Sequence, residues 1–410
     1  MKVLVAHPST QHSFQLAKQL YKRDMLYEFH TGFVFGKDSW VYKIFSRMSM
    51  KIFRKISSRF IDEVPDRFIK RYLFIEINAM VRVRLLGQDE ETVLFRRNRL
   101  FQKKIPETSI ARADAVIGFD TSSWILAERC RKLSQKFILD VSIAHPVSKH
   151  TVYRQIIKLY PDWKFSIRQK DHKYIAIEEA EMEQANHIVV ASNFTLNTYV
   201  EHGVSAGKII MNSYGVDASS FKPAKKQRRS GDIIRFVFVG LVDARKGIPS
   251  LLEVWKSLQA SNIELTLIGP ITPGIENFIH EHYPSVIIKG RLAYKELKEM
   301  LPGYDVLVFP SFFEGFALVI PEAMACGLPV ITTTSTCGPD IIENGKEGYI
   351  IDPGDVTKLK EAMEYFIDQP GRIQDMGIWA RKKAEQYSWD AYGVRWQQML
   401  QAAGKRKNTF

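Results

Sequence analysis

The chain has 410 residues, of which 45% are hydrophobic, and its 58 Lys and Arg against 45 Asp and Glu give a formal net charge of +13. That length exceeds what one core usually organises, so two domains are expected, and the composition excludes a disordered, collagenous or membrane-embedded chain. Cys130, Cys326 and Cys337 show no metal-ligand spacing and no even framework, which excludes a disulfide scaffold and fits a reducing cytoplasm, and no apolar segment approaches the roughly 18 residues of a spanning helix.

In chain order, Val3-Leu4-Val5-Ala6 is a short buried-strand pattern, followed by His7-Pro8 and by His12 in the next loop. Helical patterns at 13–20 and 124–133 alternate with further buried-strand patterns at 115–119, 137–141 and 187–191. Such alternation implies a parallel sheet with crossover helices. Residues 41–60 carry Lys43, Arg47, Lys51, Arg54, Lys55 and Arg59 with no acidic residue, interleaved with Ile44, Phe45, Met48, Met50, Ile52, Phe53 and Ile56. The run reads as a basic amphipathic helix of the kind that lies on an anionic bilayer, the other reading being a helical face whose apolar side joins the core. Arg96, Arg97, Arg99, Lys103 and Lys104, around Leu100 and Phe101, extend the same face. The excess charge calls for nucleic acid or an anionic surface, and the amphipathic pattern of the run, in place of aromatic stacking platforms set with the charge, argues against nucleic acid. His145 follows the strand pattern at 137–141 and is expected to face a cleft beyond it.

Past a polar, basic stretch at 221–231, the second half repeats the scheme with strand patterns at 235–239, 264–268, 286–289, 305–309 and 330–332. Two doubly wound α/β domains result, and such sheets bind ligands beyond the carboxyl ends of their strands. The first of these strands runs into Gly240-Leu241-Val242-Asp243-Ala244-Arg245-Lys246-Gly247, where a glycine permits close backbone approach and a Lys or Arg meets phosphate oxygens. Gly269-Pro270 and Gly290-Arg291-Leu292 end the next two, and turn chemistry alone accounts equally well for those glycines. The strand at 305–309 leads into Phe313-Glu314-Gly315-Phe316-Ala317-Leu318-Val319-Ile320-Pro321-Glu322-Ala323-Met324-Ala325-Cys326-Gly327. Pro321 suits a first helical turn and Gly327 a helix end, so strand, loop and helix aim backbone N–H groups at an anion.

The two glutamates, Gly315 between them and Glu-Ala-Met-Ala-Cys-Gly around the second resemble the signature of the retaining nucleotide-sugar glycosyltransferases of glycosyltransferase family 4, which have the two-domain GT-B fold. The resemblance covers nearly the whole chain from about Ala176 onward. It implies that Glu314 lies beside the donor sugar, that Glu322 holds the ribose hydroxyls, and that the amides of Phe316, Ala317 and Leu318, next to Gly315 and Val319, meet the diphosphate or sugar. Lys246 matches the family's phosphate-loop lysine, while its arginine directly after the glycine is Leu241 here, for which Arg245 substitutes. Gly269, Pro270, Arg291 and Leu292 match the base and ribose contacts, Ala317 stands where the family often has Gly, and Tyr214 where it has Asn. A histidine near His145 approaches the sugar or acceptor in some members.

The resemblance implies residues 1–205 as an acceptor domain, completed by a last helix at 388–410, and 206–387 as a donor domain. It further implies retaining transfer of a hexose from a UDP- or GDP-linked donor, without metal or resident cofactor, to a saccharide or lipid-linked saccharide in cell-surface polysaccharide, lipopolysaccharide or glycolipid assembly. The basic run adds an expectation of peripheral association with the inner, cytoplasmic face of the membrane. A phosphorylase-type enzyme shares the fold but needs a Lys-linked cofactor site that the sequence lacks. A catalytically silent nucleotide-sugar scaffold would lose Glu314 or Lys246, and a soluble acceptor remains the other alternative.

Overall fold

The computed structural model describes residues 1–9, 12–47, 59–167, 172–224 and 231–405. Thirteen of its strands form two parallel sheets. The first sheet contains β1 (Val3–His7), β2 (Leu26–Thr31), β3 (Ile69–Arg71), β4 (Ala115–Phe119), β5 (Lys136–Asp140), β6 (His187–Val190) and β7 (Ile209–Met211), in the spatial order β3-β2-β1-β4-β5-β6-β7. The second contains β8 (Ile234–Val239), β9 (Ile263–Ile268), β10 (Val286–Gly290), β11 (Val306–Phe309), β12 (Val330–Thr333) and β13 (Gly348–Ile351), in the order β10-β9-β8-β11-β12-β13. Each order reverses direction once, between β1 and β4 and between β8 and β11. Those are the points at which a doubly wound sheet opens a crevice.

The strands expected from continuous apolar runs are present because both sheet faces are covered by helices, and β1, β4 and β11 are buried throughout. Strands β2, β3, β7 and β13 carry no such run and were not expected. The last helix, Trp389–Lys405, packs Tyr392, Trp396 and Leu400 into the core, and Arg23 beside the first helix reaches across to donate to Asp390 Oδ1 at 2.8 Å. The two sheets face each other along a closed seam. Ser192 Oγ and Thr195 Oγ1, on the first domain, donate to the carbonyl of Gly315 at 2.6 and 3.1 Å, and Asn193 Nδ2 donates to Asp340 Oδ1 at 2.6 Å.

The basic run does not form one helix across 41–60. A helix covers Trp40–Phe45, Ser46 Oγ then bonds back to Lys43 O at its end, and Phe60–Ile61 pairs instead with Phe35–Gly36 as a short ribbon. Lys51, Arg54, Lys55, Met48, Met50, Ile52, Phe53 and Ile56 lie outside the described residues. The second basic cluster also divides. On the helix Glu90–Lys104, Arg96 and Arg99 are exposed, whereas Arg97 turns inward to Glu76 at 3.4 Å and Phe101 is fully buried. No helix among the described residues is long and apolar enough to cross a membrane.

Candidate functional site

At the second domain's switch point, the turn after β8 and the loop after β11 bring two cationic side chains and a hydroxyl onto one oxygen. Glu314 Oε1 accepts from Lys246 Nζ at 2.5 Å, from Arg245 Nη1 at 3.0 Å and from Ser311 Oγ at 2.6 Å. Only 10% of the Glu314 side chain is exposed, 12% of Lys246 and 15% of Arg245. Burial pushes the Glu314 carboxyl upward, but the Lys246 and Arg245 charges outweigh it and hold the group below its usual range. Burial draws the Lys246 ammonium down despite Glu314. Both cations face this carboxylate, with Asp243 as a second counter-charge in the same turn, so an incoming dianion competes with Glu314 for them.

Local backbone builds this arrangement. Gly247 sits at φ +76°, and a Cβ there would lie 2.0 Å from Pro310 O, so the turn carrying Arg245 and Lys246 closes tightly on the end of β11. Asp243 Oδ1 accepts the Lys246 backbone N–H at 2.9 Å and fixes the turn from the other side. Gly315 presses on the first domain: a Cβ at this residue would meet Ser142 O at 1.9 Å. The N–H groups of Phe316, Ala317 and Leu318 have no backbone acceptor among the described residues, and the helix Val319–Ala325 begins directly behind them. Ala317 has φ +69°, a left-handed conformation that costs a Cβ-bearing residue energy and that glycine adopts freely.

Glu322 sits in the first turn of that helix. Its Oε1 accepts from Tyr294 OH at 2.8 Å, and burial pushes its carboxyl up to about 7, with Tyr294 and Lys298 opposing. Gly240 and Gly269 lie alongside as continuations of the sheet: Gly240 N donates to Ile268 O and Gly269 N to Gly290 O, both at 2.9 Å. Pro270 and Arg291 are exposed at the same carboxyl edge, and Leu292 is half-buried.

His145 is the exception among the expected site residues. Its Nδ1 accepts the N–H of Val147 at 3.3 Å and so caps the helix Pro146–Leu159, and its ring stacks on His202 with centroids 4.5 Å apart. Among the described residues no hydrogen bond joins it to Glu314, Arg245 or Lys246. Burial, with the His202 and Lys149 charges, lowers its pKa to about 4. The cap engages Nδ1, because a residue before a helix-starting proline satisfies the orphan amides.

Ser311, Tyr294, Ser192 and Thr195 were not expected. Ser311 alone had a visible signal, since it lies three residues before Glu314 in the strand-breaking loop. The others come from separate elements. Tyr214 likewise gains a role only in three dimensions, its hydroxyl 3.2 Å from His12 and its ring against Phe316 and Trp389.

Residues 220–383 match the family model described as Glycosyl transferases group 1, a span that contains every element of this site except the seam from the first domain. The second domain is a group 1 glycosyltransferase domain. The family 4 resemblance fits it. Among curated relatives, the MMP alpha-(1->4)-mannosyltransferase of Mycolicibacterium hassiacum is 24% identical over 63% of this chain and 64% of its own. The colanic acid biosynthesis glycosyltransferase WcaL, a putative one, of Salmonella typhimurium is 24% identical over 61% of this chain and 66% of its own. The chain thus spans just under two thirds of either relative. Anabaena Alr3699/HepE, solved in complex with UDP, superposes with a TM-score of 0.65 at 14% identity, covering 98% of this chain and 100% of that one. The fold around the group 1 domain is accordingly GT-B, two Rossmann-like domains across a cleft.

Proposed function

We propose that the protein is a retaining, metal-independent glycosyltransferase that moves a hexose from a UDP- or GDP-linked donor to a saccharide or lipid-linked saccharide acceptor in cell-surface polysaccharide assembly. The observation that carries this reading is the buried Glu314 carboxylate shared by Lys246 and Arg245 at the switch point. As the bond between the anomeric carbon and the diphosphate oxygen breaks, the leaving group gains negative charge. Lys246, Arg245 and the amides of Phe316 to Leu318 receive that charge, which is the work a metal would do elsewhere. Glu314, freed from its cations, orients the sugar and stabilises its positive character. The acceptor oxygen bonds to the anomeric carbon on the departing face, and its proton passes to the departing phosphate. Glu322 takes the ribose hydroxyls. No resident cofactor enters the scheme.

The relatives' names support the assembly context, one acting in colanic acid biosynthesis by its name and another, from Staphylococcus aureus, in capsular polysaccharide biosynthesis. Location at the cytoplasmic face of the membrane is supported by exposed apolar side chains on the first domain, Trp40 at 72%, Phe74 at 90% and Leu85 at 77%, close in sequence to Lys43, Arg47, Arg82 and Arg84. A panel of UDP- and GDP-sugars in thermal-shift and turnover assays with EDTA present, followed by determination of the product's anomeric configuration, tests the chemistry. Inversion, or dependence on added metal, refutes it. Flotation with anionic and neutral liposomes tests the location, and equal recovery with both returns the acceptor to a soluble one.

A further inference from the structure

The seam between the domains converges on one carbonyl. Beyond β6, Ser192 caps the helix Asn193–Glu201, its Oγ accepting the N–H of Thr195 at 3.2 Å. The Ser192 hydroxyl proton then has two acceptors in reach, Thr195 Oγ1 at 3.1 Å and the Gly315 carbonyl at 2.6 Å, and the closer one lies across the cleft. Thr195 Oγ1 donates to the same Gly315 oxygen at 3.1 Å, so both of its lone pairs are filled. Ser192 and Thr195 are fully buried, and water does not compete for these bonds. The Gly315 Cα is held too, since a Cβ there would meet Ser142 O at 1.9 Å.

The other ties of this loop come from its own domain. Glu314 N donates to Ser335 O at 2.9 Å and Cys337 N to Phe316 O at 3.2 Å. Among the hydrogen bonds described for residues 314–318, those on the Gly315 carbonyl alone come from the first domain. A peptide is a rigid plane, so fixing its oxygen from two directions fixes its N–H and the Cα atoms on either side. Two residues on, Ala317 holds φ +69°, a conformation that a Cβ-bearing residue keeps only when its surroundings over-determine it. Ala317 and Leu318 are half-buried, and their amides receive the diphosphate charge in the proposed transfer.

We infer that Ser192 and Thr195 are positioning residues for transfer: they pin the Gly315 carbonyl, and the pinned peptide sets the Glu314 carboxylate and the amides of Ala317 and Leu318 against the breaking bond. The inference rests on the glycosyltransferase reading and adds first-domain residues to a site otherwise built by the second domain. A misplacement of about 1 Å costs about 100-fold in rate, whereas diphosphate affinity, set largely by Lys246 and Arg245, does not need that placement. The test is steady-state hydrolysis of UDP-glucose, UDP-N-acetylglucosamine and GDP-mannose by the full chain, with UDP and GDP affinity read by isothermal titration. Thr195→Val is isosteric and leaves the Ser192 cap intact. On the donor that the wild type turns over, its kcat is expected to fall about tenfold, and that of Ser192→Ala/Thr195→Val about 100-fold, with KM and nucleotide affinity within about threefold. Thr195→Ser restores the hydroxyl and recovers kcat to within about threefold. Asn193→Ala removes a side-chain bond to Asp340 in the same seam without touching Gly315, and leaves kcat within about threefold. Hydrogen exchange of residues 314–320 with UDP or GDP bound gives a readout independent of turnover: about tenfold faster in the double variant, unchanged in Asn193→Ala. Full kcat in the double variant, an equal fall in Asn193→Ala, or a loss carried by affinity rather than kcat overturns the inference. A wild type that neither binds UDP or GDP nor hydrolyses any of these donors refutes the functional reading itself.

Discussion

Replacing Glu314 by Gln removes one charge and almost nothing else, because the amide oxygen still accepts from Ser311. Lys246 and Arg245 are then left with no carboxylate within hydrogen-bonding distance, both more than four-fifths buried. Breaking a buried pair by removing one partner costs about 3–5 kcal/mol. Asp243, buried against the same turn, remains as a second counter-charge, so the lower end, about 3 kcal/mol, is expected. At roughly 2–4 °C per kcal/mol for a domain of this size, the unliganded melting temperature falls by about 6–12 °C. Nucleoside diphosphate affinity moves the other way. In the wild type the phosphates compete with Glu314 for the same two cations, so the variant binds UDP or GDP no more weakly, while turnover drops by orders of magnitude. Calorimetric melting with and without diphosphate, beside a turnover assay, measures all three. An unchanged melting temperature with full activity would refute the assignment of Glu314 to both the cation cluster and the chemistry.

Lys246→Ala is expected to weaken diphosphate binding by about 1.5–3 kcal/mol, as loss of a hydrogen bond to a charged group does, and Arg245→Ala by less, read by isothermal titration. For Glu322, a folded-state pKa near 7 lies above the usual carboxylate value, so the folded protein binds more protons than the unfolded chain between the two, and this group's contribution to stability falls as pH rises through that window. Only the ionised form accepts two ribose hydroxyls, so nucleotide affinity should rise from pH 6 to 8. Tyr294→Phe, which removes the bond favouring the charged form, should shift that rise upward; a flat profile in both proteins contradicts it. Ala317→Gly relieves left-handed backbone strain and is expected to raise stability by about 0.5–1 kcal/mol, with a melting temperature that falls instead counting against the strain.

The sequence by itself determined the alternation of strands and helices, and hence two doubly wound sheets, because strands covered on both faces must read as continuous apolar runs. It also determined that Glu314 and the Arg245-Lys246 pair lie at carboxyl ends of neighbouring-type elements, because the βα turns carry their glycines and charges in local motifs. Local pattern could not reveal β3 and β7, three-residue strands specified by the edges they pair with. Nor could it reveal that His145 caps the helix behind it through Val147. A single helix across 41–60 fails for a similar reason: charge periodicity persists across a helix end, whereas pairing of Phe60–Ile61 with Phe35–Gly36 depends on residues 25 positions away. Only the tertiary structure decided that Ser311, Lys246 and Arg245 share a single oxygen, that Tyr294 meets Glu322, and that Gly315 closes onto Ser142. Apart from Ser311 with Glu314, each of these contacts joins side chains or backbone distant in sequence, and their geometry is set by how the strands and the two sheets come together rather than by any one segment.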